Sequence, residues 1–239
     1  MPQTAVIAGV GPGLGASIAR TFAQHGCNVA LFARSEDYIE ELAGKLPKPG
    51  EGLAVQTDLS DVAAIEEGFE VVRDEFGAVD ILVNHASAAT WKGLTEITLE
   101  EFEQAWAVNG RGAFVCSREA VSDMLDTDGG TIIFTGATSA VRSLGGTIGF
   151  TAAKFAARGM AMDIAQEFGP EGIHVAHVVL DGQIDTPDLR ARDPDRDAET
   201  LLDPDAIADT YWHLVEQDDI STQPFEVHLT NGPQNTEFM

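Results

Sequence analysis

Lysine, tyrosine and cysteine are scarce in this chain of 239 residues, which has two tyrosines, two cysteines and only four lysines among its 14 basic residues. Its 39 acidic residues give a formal net charge of -25. A field of this sign repels phosphates and anionic lipids, so we expect neither a nucleic acid nor a membrane as partner. Because the acidic residues are spread along the chain, we interpret the composition as an adaptation to high salt, where counterions screen self-repulsion. An ordinary acidic protein is the alternative.

The two cysteines, Cys27 and Cys116, each stand among apolar residues, with no spacing that indicates a disulfide framework. They are typical of reduced core thiols, so we expect a cytoplasmic protein. The first ten residues carry no basic stretch and run directly into an apolar segment, which predicts the absence of a signal peptide. No apolar run is long enough to span a bilayer, and we expect no metal site.

Short apolar runs alternate with helix-length segments along the whole chain. The strand-like runs lie at 4–9, 28–33, 52–58, 79–84, 130–136, 173–180 and 225–230. The helix-length segments lie at 13–25, 35–45, 61–76, 98–124, 147–168 and 203–217. This alternation predicts an α/β fold in a single domain over residues 1–239, with a doubly wound parallel sheet of about seven strands flanked by helices.

One long stretch, residues 182–202, shows neither pattern. It is charged, contains two prolines and follows the end of the sixth strand. Ligands of such sheets bind at the carboxyl ends of the strands. We therefore predict a mobile substrate lid here, with a solvated loop of no special role as the alternative.

A glycine-rich turn follows the first strand directly, in "VIAGVGPGLGASIAR". Gly9, Gly13 and Gly15, with Leu14 between the last two, allow a tight turn and a close approach of the backbone to a pyrophosphate. The amides at the start of the next helix would then face the anion. Because the turn lies between an apolar strand and a helix, the sequence predicts a dinucleotide site.

The end of the second strand favours one cofactor over the other. An enzyme selecting NAD places a carboxylate there for the ribose 2′-hydroxyl, but this chain has Ala33, followed by Arg34 and Ser35. A guanidinium suits a 2′-phosphate, so we predict that NADP(H) is preferred and that NAD(H) remains possible.

Several further motifs complete a pattern that covers nearly the full chain: Asp58 in "QTDLSD", "NHA" at 84–86 in place of Asn-Ala-Gly, Asn109 in "WAVNGRG", Lys154, and Thr186 in "DGQIDTP". With the glycine turn, they resemble the short-chain dehydrogenase/reductase family. The resemblance implies a Rossmann fold and a nicotinamide cofactor. By position it assigns Asp58 and the adjoining Leu59 to the adenine, Asn84 and Ala86 to the adenosine ribose region, and Thr186 to the nicotinamide amide.

The same resemblance implies a Ser-Tyr-Lys-Asn catalytic set. Lys154 and Asn109 match it, and the resemblance implies that the lysine also holds the nicotinamide ribose. Phe150, however, stands where the family has its proton-donating tyrosine, and Ala137 stands where it has its serine. A phenyl ring donates no proton. The two tyrosines of the chain, Tyr38 and Tyr211, lie far from this helix in the sequence, so an atypical proton source is required.

Other polar residues near the expected nicotinamide site are candidates for the missing roles. Asp181 ends the sixth strand, and an apolar setting near the cofactor would raise its pKa enough for an acid. The alternative is a carboxylate bonded to the amides of the next turn. Ser139 and the adjoining Thr138 are candidates for orienting the substrate. His85 and His177, within or just after strands, are interpreted as structural.

These observations leave two main hypotheses for function. The first is an NADP(H)-dependent oxidoreductase that transfers hydride to or from a small carbonyl, imine or activated alkene. The second is a non-catalytic NADP(H)-binding sensor or subunit, favoured by Phe150 and Ala137. A lyase or dehalogenase on the same fold lacks support, because no acid or nucleophile stands near Phe150. The small-residue helix around Lys154 also predicts a homodimer or homotetramer.

Overall fold

The strands of the protein form one parallel sheet, which confirms the predicted fold class. The computed structural model describes residues 2–217 and 219–231, and in this part of the chain the sheet has seven strands. They are β1 (Thr4–Ala8), β2 (Asn28–Ala33), β3 (Gly52–Gln56), β4 (Ile81–Asn84), β5 (Gly130–Thr135), β6 (Ile173–Asp181) and β7 (Glu226–Thr230). Their order is β3-β2-β1-β4-β5-β6-β7. The reversal beside β1 creates a crevice at the carboxyl ends of β1 and β4.

Helices cover both faces of this sheet. They are α1 (Leu14–Gln24), α2 (Glu36–Gly44), α3 (Val62–Phe76), α4 (Leu99–Trp106), α5 (Ala113–Leu125), α6 (Ile148–Phe168), α7 (Pro187–Arg192) and α8 (Pro204–Val215). One buried apolar cluster joins the sheet to α1 and α8, and a second joins it to α3, α5 and α6. The central strands are buried along nearly their whole length, which explains their almost uniformly apolar sequences. None of the helices in the described residues is both long and apolar enough to cross a membrane.

The segment 98–124 is not the single helix that its length predicts. α4 ends at Trp106, a π-helical turn covers Ala107–Gly112, and α5 begins at Ala113. Within the turn, the side-chain amide of Asn109 donates to the carbonyl of Ala105, at 2.9 Å. A side chain that competes for the carbonyl four residues back widens the helix locally. Such turns are frequent at functional sites.

The segment 182–202 contains more structure than its sequence suggests. It includes α7 and a 3-10 turn at Ala198–Thr200. Its two ends are joined by backbone hydrogen bonds, from Leu202 to Gln183 and from Asp185 to Leu202. Within the segment, the Arg190 guanidinium donates two hydrogen bonds to the Asp185 carboxylate, both 2.7 Å. The segment therefore has a closed base beside the carboxyl end of β6.

Candidate cofactor cleft and active site

A cleft of about 580 Å³ opens at the carboxyl ends of the strands. It brings together ten of the residues that the sequence assigns to the cofactor: Gly9, Gly13, Leu14, Gly15, Arg34, Ser35, Asp58, Leu59, Ala86 and Thr186. Ile184 and Asp188 place the base of the 182–202 segment on the same cleft. Five chain segments, after β1, β2, β3, β4 and β6, therefore contribute to one continuous surface.

The glycine turn is packed so closely that Gly9 and Gly13 have no room for a side chain. Gly9 has a φ of +109°, and a Cβ atom at this position would lie 2.4 Å from the Cα of Ala86. A Cβ at Gly13 would lie 2.9 Å from a methyl group of Thr186. α1 begins beside this turn, and its N-cap, Gly13, has no side-chain cap. The amides of its first turn are thus presented to the cleft.

The far end of the cleft carries opposite charges. Arg34 is exposed, and in the described residues it takes part in no ion pair. Asp58 accepts hydrogen bonds from the backbone and the hydroxyl of Ser60, at 2.9 and 2.7 Å. These bonds, with the charge of Arg34, lower the pKa of the Asp58 carboxyl. Asp58 therefore stays ionised, with its orientation fixed by Ser60.

Lys154 lies in α6 below the cleft and is only 4% exposed. Its ammonium donates to the backbone carbonyl of Thr135, at 2.9 Å. Its charge lies 5.7 Å from the centre of the Phe150 ring. In the described residues no carboxylate forms an ion pair with it, and burial lowers its pKa from 10.5 to about 8. The ammonium is therefore held in the interior at a cost in free energy.

A small cavity of about 20 Å³ adjoins Lys154 and is also lined by Asn84 and Asn109. Asn109 donates to the carbonyl of Ala88 at 2.7 Å, in addition to its bond to Ala105. Asn84 donates to the hydroxyl of Ser117, at 2.9 Å. In the described residues, the side-chain oxygens of both asparagines are buried and accept no hydrogen bond. A cavity of this size is large enough for one water molecule, and a buried water needs such polar neighbours.

The structure separates the remaining predicted catalytic residues from these two cavities. Phe150, Ser139 and Asp181 line neither of them. Phe150 is 8% exposed, and its ring lies 6.2 Å from that of Trp91, which is 74% exposed. Ser139 is 4% exposed in the 3-10 turn Thr138–Ala140, next to Phe150's helix. Trp91, which we did not single out from the sequence, thus extends an apolar wall from Phe150 to the surface.

The expectation that the pKa of Asp181 is raised is wrong. Burial raises it, but hydrogen bonds from Thr138, His228 and Arg142, with the charge of Arg142, outweigh burial and lower the pKa below its ordinary value. The distances are 2.6 Å from Thr138, 3.0 Å from His228 and 2.8 Å in the ion pair with Arg142. The alternative, a carboxylate bonded to the amides of the next turn, is not what these bonds show. Asp181 has no proton to donate near neutral pH.

The two histidines interpreted as structural differ in their surroundings. His177 is 1% exposed, contacts Glu226 at 2.9 Å and does not line the cleft. His85 instead lines the cleft, and its Nδ1 lies 3.1 Å from the hydroxyl of Thr135. Burial, with the charge of Lys154, lowers the pKa of His85 to about 4. It is therefore a neutral ring at the cleft.

Tyr211 lies closer to the candidate site than its place in the sequence indicates. It comes from α8, yet its hydroxyl lies 2.9 Å from the Thr135 hydroxyl, in the same residue whose carbonyl binds Lys154. The only signal in the sequence was a lone tyrosine in the apolar stripe of a helix. Nothing in that stripe shows which strand end the helix packs against.

The chain belongs to the short-chain dehydrogenase family, whose model matches residues 3–197. An uncharacterized oxidoreductase of Staphylococcus saprophyticus is 30% identical over 218 residues, which covers 90% of this chain and 92% of that protein. The protein is therefore an oxidoreductase of this family.

Solved structures with the same fold include two that were determined with nicotinamide cofactors. An alcohol dehydrogenase from the archaeon Thermococcus sibiricus, complexed with 5-hydroxy-NADP, is 26% identical with a TM-score of 0.88, and the match covers 100% of both chains. A 3-ketoacyl-(acyl-carrier-protein) reductase from Brucella melitensis, complexed with NADH, is 25% identical with a TM-score of 0.85 and covers 96% of this chain and 97% of that one. The similar structures thus include one solved with an NADP derivative and one solved with NADH.

Proposed function

We propose that the protein is an NADP(H)-dependent oxidoreductase that transfers hydride to or from a small carbonyl, imine or activated alkene, with a proton donor other than tyrosine. The observation that carries this proposal is the buried Lys154 ammonium, which has no carboxylate partner in the described residues and lies below a cleft built around a glycine turn. When bound, the cofactor supplies the hydride or accepts it. The chain supplies the binding groups, the orientation and the proton.

The cleft fits a dinucleotide in three respects. Because Gly9 packs closely against Ala86 and has no side chain, a pyrophosphate can approach the backbone of the turn directly. The uncapped first turn of α1 favours an anion at the same place. Thr186 lies across the turn from Gly13, where it would bind the nicotinamide amide, and its hydroxyl also caps α7. The base of the 182–202 segment is thus tied to the cofactor site, which supports a role as a lid.

The preference for NADP(H) rests on Arg34. Its guanidinium lies at the cleft, exposed and without an ion-pair partner in the described residues, so it is available to a 2′-phosphate. The adjoining Ser35 starts α2 without using its hydroxyl as a cap, so this hydroxyl is a second donor. NAD(H) lacks the 2′-phosphate and therefore forms no charge-assisted pair with this guanidinium.

Lys154 is the chain's best candidate for the missing acid. With a pKa of about 8, its ammonium gives up a proton far more readily than an exposed lysine does. Asn109 and Asn84, on the small cavity beside it, offer buried acceptors for a water molecule that would return the proton. A substrate that arrives protonated, such as an iminium, needs no acid at all.

The apolar wall formed by Phe150 and Trp91 supports a substrate with an apolar face. Leu144, in the loop before α6, and Ile148, its first residue, are further exposed apolar side chains in this part of the chain. Asp181 and Arg142 form an ion pair with each other, so neither charge is available to bind a charged substrate. We therefore place small, largely uncharged carbonyls, imines and alkenes first among the candidates.

The first experiment is a fluorescence titration with NADPH and NADH in high salt, followed by a panel of ketones, aldehydes, imines and activated alkenes. We expect tighter binding of NADPH and turnover of at least one class. The matched variants are Arg34→Ala and Arg20→Ala, since Arg20 is also exposed but lies outside the cleft. Arg34→Ala should weaken NADPH at least about tenfold while leaving NADH nearly unchanged.

Each outcome of this experiment separates the hypotheses. Equal losses for NADPH and NADH in Arg34→Ala would contradict the assignment of the 2′-phosphate site. Tight binding with no turnover across the panel would favour the cofactor-binding sensor or subunit. That hypothesis is consistent with phenylalanine in place of tyrosine at position 150. No binding of either cofactor would overturn the proposal.

A further inference from the structure

Three side chains form a line of hydrogen bonds from the interior of the fold to the cleft. The Tyr211 hydroxyl lies 2.9 Å from Oγ1 of Thr135, and this oxygen lies 3.1 Å from Nδ1 of His85. Tyr211 is 0% exposed and Thr135 is 8% exposed, whereas His85 is half-buried and lines the cleft. Tyr211, at one end of the line, is shielded from solvent, whereas His85, at the other end, faces the cleft and any ligand bound in it.

Tyr211, at the buried end of the line, determines which group donates in each hydrogen bond. Burial raises the pKa of Tyr211, so its hydroxyl keeps its proton. In the described residues this proton has one acceptor within reach, Oγ1 of Thr135. A buried donor left unpaired is costly, so Tyr211 donates to Thr135. The single hydroxyl proton of Thr135 is then donated to Nδ1 of His85.

This direction fixes the tautomer of His85. A neutral imidazole that accepts at Nδ1 carries its proton on Nε2. The Cδ2 edge of the ring, which adjoins Nε2, faces α1: a methyl group added to Gly15 would lie 3.3 Å from Cδ2. His85 therefore presents an N–H group beside the first turn of α1, where the backbone amides are uncapped.

We propose that His85 is a cofactor-binding residue that donates its Nε2–H to a diphosphate oxygen at the glycine turn, and that Thr135 and Tyr211 are positioning residues that hold it in this tautomer. The inference rests on the proposed binding of a dinucleotide. The other tautomer would aim a lone pair at a phosphate oxygen and repel it. The line of hydrogen bonds thus converts an uncharged ring into a permanent donor for an anion.

The tautomer can be read directly by NMR in the ligand-free protein. A long-range ¹H–¹⁵N correlation spectrum of protein labelled in its six imidazole rings distinguishes Nε2–H from Nδ1–H. The His85 signals are assigned by their loss in His85→Asn. We expect Nε2–H for His85 in the wild type and a shift of its Nε2 signal on addition of NADPH. An Nδ1–H tautomer in the free protein would overturn the proposal.

Two pairs of variants test the positioning roles. Thr135→Val and Tyr211→Phe remove one hydroxyl each, so His85 should become a mixture of tautomers. NADPH binding should weaken about fivefold to tenfold, the effect of one lost hydrogen bond. Thr131→Val, at a residue equally buried on the same strand, and Tyr38→Phe are the matched controls and should change neither readout. Equal losses of affinity in Thr135→Val and Thr131→Val, with the tautomer unchanged in both, would show a merely structural effect and contradict the proposal.

The outcomes also separate this inference from the proposed function. If NADPH binds but the His85 signal does not move, the cofactor assignment stands and the role of His85 is wrong. If neither cofactor binds although His85 is in the Nε2–H form, the proposal that the cleft binds a dinucleotide is wrong. The proposal that His85 donates to its diphosphate is then wrong as well.

Discussion

Replacing Lys154 with methionine should make the protein more stable at neutral pH. Methionine keeps most of the length of the side chain and removes the charge. Burial lowers the pKa of Lys154 from 10.5 to about 8, and each unit corresponds to about 1.4 kcal/mol, so holding the charge in the interior costs about 3 kcal/mol. The variant loses the hydrogen bond to Thr135, worth about 1 kcal/mol. The net expectation is a gain of about 2 kcal/mol in the free energy of unfolding.

The pH dependence of this difference provides a sharper test than its size. The folded-state pKa of Lys154 lies below the unfolded value, so between pH 8 and 10.5 the unfolded chain holds a proton that the folded chain has lost. The stability of the wild type relative to the variant therefore rises with pH across this window. The advantage of Lys154→Met is complete below pH 8 and disappears as the pH approaches 10.5.

Urea denaturation of both proteins at intervals from pH 7 to pH 10.5 measures this difference. Lys45→Met, at an exposed lysine, is the control and should change stability little at any pH. NADPH titration of the same variants should show weaker binding for Lys154→Met alone. A variant that is less stable than the wild type at pH 7, or a difference that does not narrow above pH 8, would refute the reasoning.

Three further predictions follow from the same structure. Phe150→Tyr should create or raise ketone reductase activity, measured as NADPH oxidation; retained binding without any gain would contradict the placement of the ring above Lys154. Gly9→Ala should lower the midpoint of thermal unfolding and abolish cofactor binding, because its Cβ would meet Ala86, whereas Gly11→Ala, with open space around it, should keep the wild-type midpoint. Raising the salt from about 0.1 M to about 1 M shortens the screening length from about 10 Å to about 3 Å, so the unfolding midpoint should rise; a flat response would argue against an adaptation to salt.

The sequence was sufficient where the relevant contacts are local or imposed by the sheet. The strands could be predicted because both faces are covered, which requires nearly continuous apolar runs such as that of β6. The glycine turn could be placed because a strand, a turn and a helix follow one another within about a dozen residues. The site after β4 and β6 then follows from the parallel order of the strands.

The sequence was insufficient where a group's properties depend on distant partners. The pKa of Asp181 is lowered by Thr138, His228 and Arg142, two of which lie in the segment after β5 and one in β7. No local pattern indicates that three donors converge on this carboxylate. The break in the helix at Asn109 is similar, since its side-chain amide bridges to Ala88 in another segment as well as to its own helix.

Phe150 and Lys154 are best considered as one unit. A tyrosine above the lysine would give the ammonium a hydroxyl to polarise, whereas the phenyl ring offers only its face, 5.7 Å away. The remaining direct hydrogen bond, to Thr135, does not offset the cost of burial, which is why the pKa falls. A charge kept in the interior at such a cost is expected where a ligand completes its surroundings. Lys154 thus argues for a bound cofactor whatever the source of the proton, and Phe150 changes which group donates the proton, not the purpose of the cleft.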